Sequence, residues 1–241
     1  MACRSAEIPI RAHCGRNPRV RLDSVTLTIA EEVLLLAYRE DTGKPIIGSV
    51  ELDCALAGAL LADLAVRRRV DLDGAKVVPV DPTLVGDEEL DATLARIAEE
   101  RGPRKADWWV GKLRAGRLRK RLLTRLAARG VLSEQEGKVL GIFPTTRYPE
   151  LDPSHEQGVR ERVHNVLAGA DPDERTAVLI AVMHAARLDR KAFPDAPKGR
   201  VKEIAEGQWT AEAVRKTIAS IHAAVLAATT AATVAATTAG S

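Results

Sequence analysis

Apolar positions recur with helical spacing along most of the chain, and the first clear run begins at Thr28. Thr28 can cap a helix, Glu31 stands at the capping-box distance, and Val33 to Ala37 follow as an apolar stretch. The pattern predicts a helix over Ile29–Tyr38. Glu40 to Pro45 reads as a turn, leading into a short extended segment through Ile46, Ile47 and Val50. Leu52–Val66 returns to helix, with Leu56, Leu60, Leu61 and Leu64 at i, i+4, i+5 and i+8 as a core-facing stripe. Arg67, Arg68 and Arg69 follow it, where cations compensate a helix carboxyl end. Val70–Pro82 alternates loosely around Gly74 as a hairpin or extended connection, and Asp87–Glu100 is again helical.

In the second half, Leu118, Leu122 and Leu126 repeat every four residues and define a buried helix face. Arg114, Arg117, Arg121 and Arg125 form an adjoining stripe, while Arg119 projects from the other side of the leucine seam. Gly130 stops this helix, and Ser133 begins the next short turn with Glu136 three residues on. Val139–Arg147 has the pattern of a hairpin. Val159–Leu167 is amphipathic, and Glu174–Leu188 is a strongly apolar helix with Val178, Leu179, Val182 and Met183 in the core. Val201, Ile204, Val214, Ile218, Ile221 and Val225 continue the helical packing, after which an Ala/Thr-rich tail loses the amphipathic pattern. The expected organisation is a flexible basic arm over 1–23, one helical domain over 24–227 and a flexible tail over 228–241. The fold class is mainly α, with a small β-hairpin.

Composition narrows the function. The 241 residues are 46% hydrophobic but only 3% aromatic, so the core is aliphatic and of high helix propensity. A net charge of +3 does not mark the whole chain as a nucleic-acid binder, yet residues 101–129 hold eleven Arg or Lys against the single acid Asp107. That segment carries +10 by itself. Cys3, Cys14 and Cys54 have no metal-ligand spacing and read as free thiols of a cytoplasmic protein. No run approaches the ~20 apolar residues of a membrane span, and the five arginines of the first 25 residues do not flank a secretory apolar region.

Catalytic signals are weak. Asp152, His155 and Glu156 cluster in a loop-like context, and Asp171, Asp173 and Glu174 resemble a helix amino terminus. No nucleophile motif, phosphate-binding loop or paired metal ligands accompany them, so neither an enzyme nor a cofactor is expected. His184 lies within an apolar helix and reads as a satisfied core histidine. Trp108 and Trp109 suit either a lipid interface or the core.

The run Leu27-Thr28-Ile29-Ala30-Glu31-Glu32-Val33-Leu34-Leu35-Leu36 resembles the amino-terminal signature of the Golgi phosphoprotein 3 family. The likeness continues in order through Asp41-Thr42-Gly43, Ala59 to Ala65, Arg67 to Val70, Leu122 to Leu132, Pro144-Thr145-Thr146 and Leu179 to Phe193. Arginine outnumbers lysine 26 to 10, which suits a high-GC genome, and the resemblance is that of a divergent bacterial member. The resemblance implies a central helical bundle wrapped by amphipathic helices, with a hairpin that supports self-association through Gly141, Ile142 and Phe143. It also implies a peripheral membrane adaptor that binds phosphatidylinositol 4-phosphate and recruits cytoplasmic tails of membrane proteins. The family's headgroup pocket uses an aromatic residue and three arginines; here the matching positions are Gly48, Ala57, Gly116 and Arg119, so one of four keeps its chemistry.

The expectation is therefore electrostatic and weakly selective binding of anionic phospholipid headgroups by Arg114, Arg117, Arg119 and Arg121. The competing reading is nucleic-acid binding by the basic helix Lys112–Arg129, through sequence-independent phosphate contacts.

Overall fold

The computed structural model describes residues 26–114, 117–139, 143–207, 216, 219–220 and 222–231. Nine helices are assigned there: α1 (Ile29–Ala37), α2 (Ser49–Val66), α3 (Glu88–Glu99), α4 (Ala106–Arg114), α5 (Leu118–Ala128), α6 (Pro153–Leu167), α7 (Glu174–Ala185), α8 (Asp189–Ala192) and α9 (Lys198–Ala205). Helical backbone also covers 222–231, four residues of which fall in the segment expected as a tail. Strands β1 (Val70–Asp73), β2 (Lys76–Pro79) and β3 (Arg104–Lys105) form an antiparallel sheet in that order. A separate hairpin pairs β4 (Gln135–Val139) with β5 (Phe143–Arg147), Val139 opposite Phe143. The mainly α class is observed.

α1 and α2 lie at the centre. Every residue of α1 is buried, and α2 is buried from Leu52 to Ala65 except at Asp53. The expected leucine stripe on α2 is thus a helix enclosed on nearly all sides, by α1, α3, α4, α5 and α7. Ala55, Ala57, Ala59 and Ala62 let those neighbours approach closely. The expected extended segment at 46–50 is shorter than the pattern suggested: Pro45 bridges Tyr38, and Val50 already belongs to α2, whose amino-terminal cap is Gly48. The short turn expected at Ser133 leads directly into β4, where Glu136 pairs with Thr146 across the hairpin.

Local rules fix several ends. The Thr28–Glu31 capping box is complete, Asp87 caps α3, Asp173 caps α7, and Asp152 caps α6 with Pro153 at its first position. Gly74 turns β1 into β2 with φ +61°. Gly43 is required twice over: its φ is +57°, and a Cβ there would lie 2.4 Å from the backbone of Pro149.

Packing the start of α1 against α2 places three carboxylates in the interior, two on α1 and one on α2. Glu31 and Asp63 are fully buried and Glu32 nearly so. Arginines of α5 and its cap, α6, α7 and the end of α2 itself pair with them. The Glu31 Oε1 accepts from Arg125 Nε at 2.9 Å and Arg129 Nη1 at 3.0 Å, while its Oε2 accepts from the Thr28 N–H at 2.8 Å. Glu32 pairs with Arg162 at 2.8 Å and Arg175 at 3.1 Å. Asp63 accepts from the Ile29 N–H at 2.8 Å and Arg67 Nε at 2.6 Å. Arg175 and Arg129 also donate to the carbonyls of Leu27 and Thr26.

Removing one partner from such a pair leaves the other charge stranded in a poorly solvated site. Glu31→Gln is expected to cost about 3 kcal/mol, on the order of 10 °C in Tm. Thermal unfolding of the variant beside wild type checks this, with exposed Glu99→Gln as the comparison that stays within about 0.5 kcal/mol.

Candidate functional site

The basic segment does not form one continuous helix. α4 ends at Arg114, and α5 begins at Leu118 with Arg117 as its cap in the left-handed region, φ 58°. The expected stripe Arg114–Arg117–Arg121–Arg125 is therefore divided between two helices. Gly116, between them in sequence, is the poorest helix former short of proline. The leucine seam is as expected: Leu118, Leu122 and Leu126 are buried, joined by Leu123.

The four candidate arginines meet different surroundings. Arg119 is held at 3.2 Å from Asp53 of α2. Burial pushes the Asp53 carboxyl up, with Arg119 and then Arg114 pulling it back. Arg121 grips Glu89 of α3 through two nitrogens, Nη2 to Oε2 at 2.9 Å, and this hydrogen bonding raises its pKa further. Arg117 is exposed and, among the described residues, forms no ion pair. The same holds for Lys120, which sequence reasoning did not single out.

Arg117, Lys120 and Arg121 come together in an open groove of about 520 Å³ between α3 and α5, completed by Thr124, Arg125, Ala128, Glu88 and Glu89. Arg114 and Arg119 do not line it. Arg125 is fixed at the groove by Glu31 at 2.9 Å and Asp87 at 2.9 Å. The sequence marked Asp87–Glu100 only as helical; the placement of its acids Glu88 and Glu89 beside α5 is a tertiary fact.

Of the four positions that the resemblance matches to a headgroup pocket, the three described ones stand in different surroundings. Gly48 is the bare cap of α2, Ala57 is fully buried, and Arg119 is engaged by Asp53. Gly116 lies outside the described residues. So do Gly141 and Ile142 at the expected self-association tip; Phe143 begins β5.

A family model described as Golgi phosphoprotein 3 (GPP34) matches residues 29–221. The chain belongs to the Golgi phosphoprotein 3 family. The match spans α1 through α9 and includes the groove.

Several of the remaining chemical candidates are engaged within the fold. Asp152 and Asp173 are helix caps, and Glu156 is clasped by Arg160 at 2.5 Å. His184 is satisfied as expected, by Asp189 at 2.9 Å, but it lies at the rim of a cavity and stacks on His222 rather than sitting inside the core. Trp109 is core; Trp108 is partly exposed under Lys112, whose Nζ is 4.5 Å from the ring centre. Cys54 is buried and free.

One cluster had no sequence signal, because Glu40 is far along the chain from Glu150 and Glu156. Glu40, Glu150 and Glu156 bring carboxylate oxygens within 4.8 Å of one another, with Arg160 supplying the positive charge among them. Burial, then the charges of Glu156 and Glu40, pushes Glu150 up from 4.5 to about 7. The stabilisation from a neutral Glu150 is complete below 4.5 and lost as pH rises through about 7. Glu150→Gln stays neutral, so its Tm relative to wild type should climb between pH 5 and 8.5. A difference that does not change with pH would contradict the cluster's electrostatics.

Proposed function

We propose that this chain is a non-enzymatic peripheral membrane adaptor that binds anionic phospholipid headgroups in the groove between α3 and α5. The observation that carries the reading is the pair Arg117 and Lys120: two exposed cations on one groove, without ion pairs among the described residues. Phosphatidylinositol 4-phosphate is what the resemblance implies, but the loss of chemistry at Gly48 and Ala57 and the capture of Arg119 by Asp53 argue for a different set of contacts. Arg114 and Arg119 act near Asp53, away from the groove. Membrane-protein tails are the proposed clients. The β4–β5 hairpin, with Gly141, Ile142 and Phe143, is the proposed self-association element, since a two-stranded ribbon leaves backbone edges for a second copy.

Family membership supports the non-enzymatic role, and no helix among the described residues is long and apolar enough to cross a membrane. Attachment would then be peripheral, at the cytoplasmic face. The nucleic-acid reading needs a long row of available cations. Six of the segment's eleven, namely Arg104, Lys112, Arg119, Arg121, Arg125 and Arg129, are held in ion pairs. What is left suits one or two phosphates better than a duplex backbone.

Arg117→Ala with Lys120→Ala should weaken binding to phosphatidylglycerol-containing vesicles about 30-fold, at ~1 kcal/mol per cation, without lowering Tm. Flotation across a lipid titration measures it. Unchanged binding by the double variant would place the contact elsewhere, and equal binding to neutral vesicles would remove the electrostatic mechanism.

A further inference from the structure

The groove contains a negative charge as well as positive ones. Glu88, the first residue of α3, lines it from one helix, while Arg117 and Lys120 line it from the other. The remaining charges are matched within the fold: Glu89 by Arg121, and Arg125 by Glu31 and Asp87. Glu88 is exposed and, among the described residues, has no ion pair; it acts on Arg121 only at longer range. Three side chains therefore remain for a ligand: one carboxylate and two cations.

A ligand that is only a phosphate would satisfy Arg117 and Lys120 but be repelled by Glu88. One that is only an amine would meet two cations. A phosphate and an ammonium carried on neighbouring atoms answer both walls at once. A primary ammonium has N–H donors for the Glu88 carboxylate, as the lysine head group does, whereas a quaternary ammonium has none. The cavity, about 520 Å³, is in the range of small-molecule sites.

We infer that the groove selects aminophospholipid headgroups, with the phosphate on Arg117 and Lys120 and the primary ammonium on Glu88. This rests on the membrane reading above and replaces its weak selectivity with a defined headgroup. The same phosphoethanolamine unit exists in soluble form, so the source must be tested together with the chemistry.

Vesicles with a fixed phosphatidylglycerol fraction are made up with either phosphatidylcholine or phosphatidylethanolamine, and flotation is run with wild type and Glu88→Gln. Wild type should bind the ethanolamine series about threefold more tightly, the size of one exposed charge pair. Glu88→Gln should bind both series alike and keep the wild-type Tm. Soluble O-phosphoethanolamine should displace the wild type from vesicles at lower concentration than inorganic phosphate. A preference for ethanolamine that survives in Glu88→Gln reflects bilayer packing and overturns the inference. So does equal binding of wild type to both series, which leaves the membrane reading intact. Binding of wild type to neither series, with affinity for soluble phosphoethanolamine, overturns the lipid source and the membrane reading with it.

Discussion

The interaction on which the rest of this fold depends is the neutralisation of three buried carboxylates, two at the start of α1 and one on α2 that bonds to it. Glu31, Glu32 and Asp63 are placed inside the molecule by the apolar run that surrounds them, and isolated charges there would be untenable. Their satisfaction requires guanidinium groups, whose several donors can reach a carboxylate and a backbone carbonyl together. Arg129 and Arg175 do this, each bonding a carboxylate of α1 and a carbonyl of the chain leading into it. α5, α6 and α7 are thereby pinned to one short helix, and α2 is joined to it through Asp63.

This requirement also sorts the arginines of α5. Those facing α1 and α3 hold the bundle together: Arg125 and Arg129 on Glu31, Arg121 on Glu89. Arg119 serves α2 through Asp53. Cations that look alike along the sequence thus divide into a structural set and a surface set, and the proposed ligand contact belongs to the second. A segment of +10 reads as a strong electrostatic device, but six of its eleven cations are paired with acids at distances of 2.5–3.2 Å.

The legible parts of this fold were those set by short-range rules. The Thr28–Glu31 box, the leucine seam of α5 and the turn at Gly74 each depend on residues within a few positions of one another. Glu31 shows the limit of such reading: its capping role was visible, but its second oxygen binds arginines more than ninety positions away. The charge stripe through Arg114 failed for a related reason, since helical periodicity is meaningful only while the helix continues, and Arg117 adopts a left-handed conformation instead. The groove was half legible. Its arginines stood out by their density, whereas Lys120 and the acids of α3 acquired a role only through packing, and no spacing rule could join Glu40 to Glu150.

Salt separates the two sets of cations most directly, because exposed charges are screened within about 10 Å at 0.1 M while buried pairs are screened far less. The measurement is wild-type Tm and vesicle binding in parallel from 0.05 to 0.5 M sodium chloride, as about five steps. The account predicts that binding is lost across this range while Tm moves by no more than about 2 °C. A Tm that falls in step with binding would mean that the arginines around Glu31 and Glu32 act as surface charges, and the division proposed for α5 would not stand.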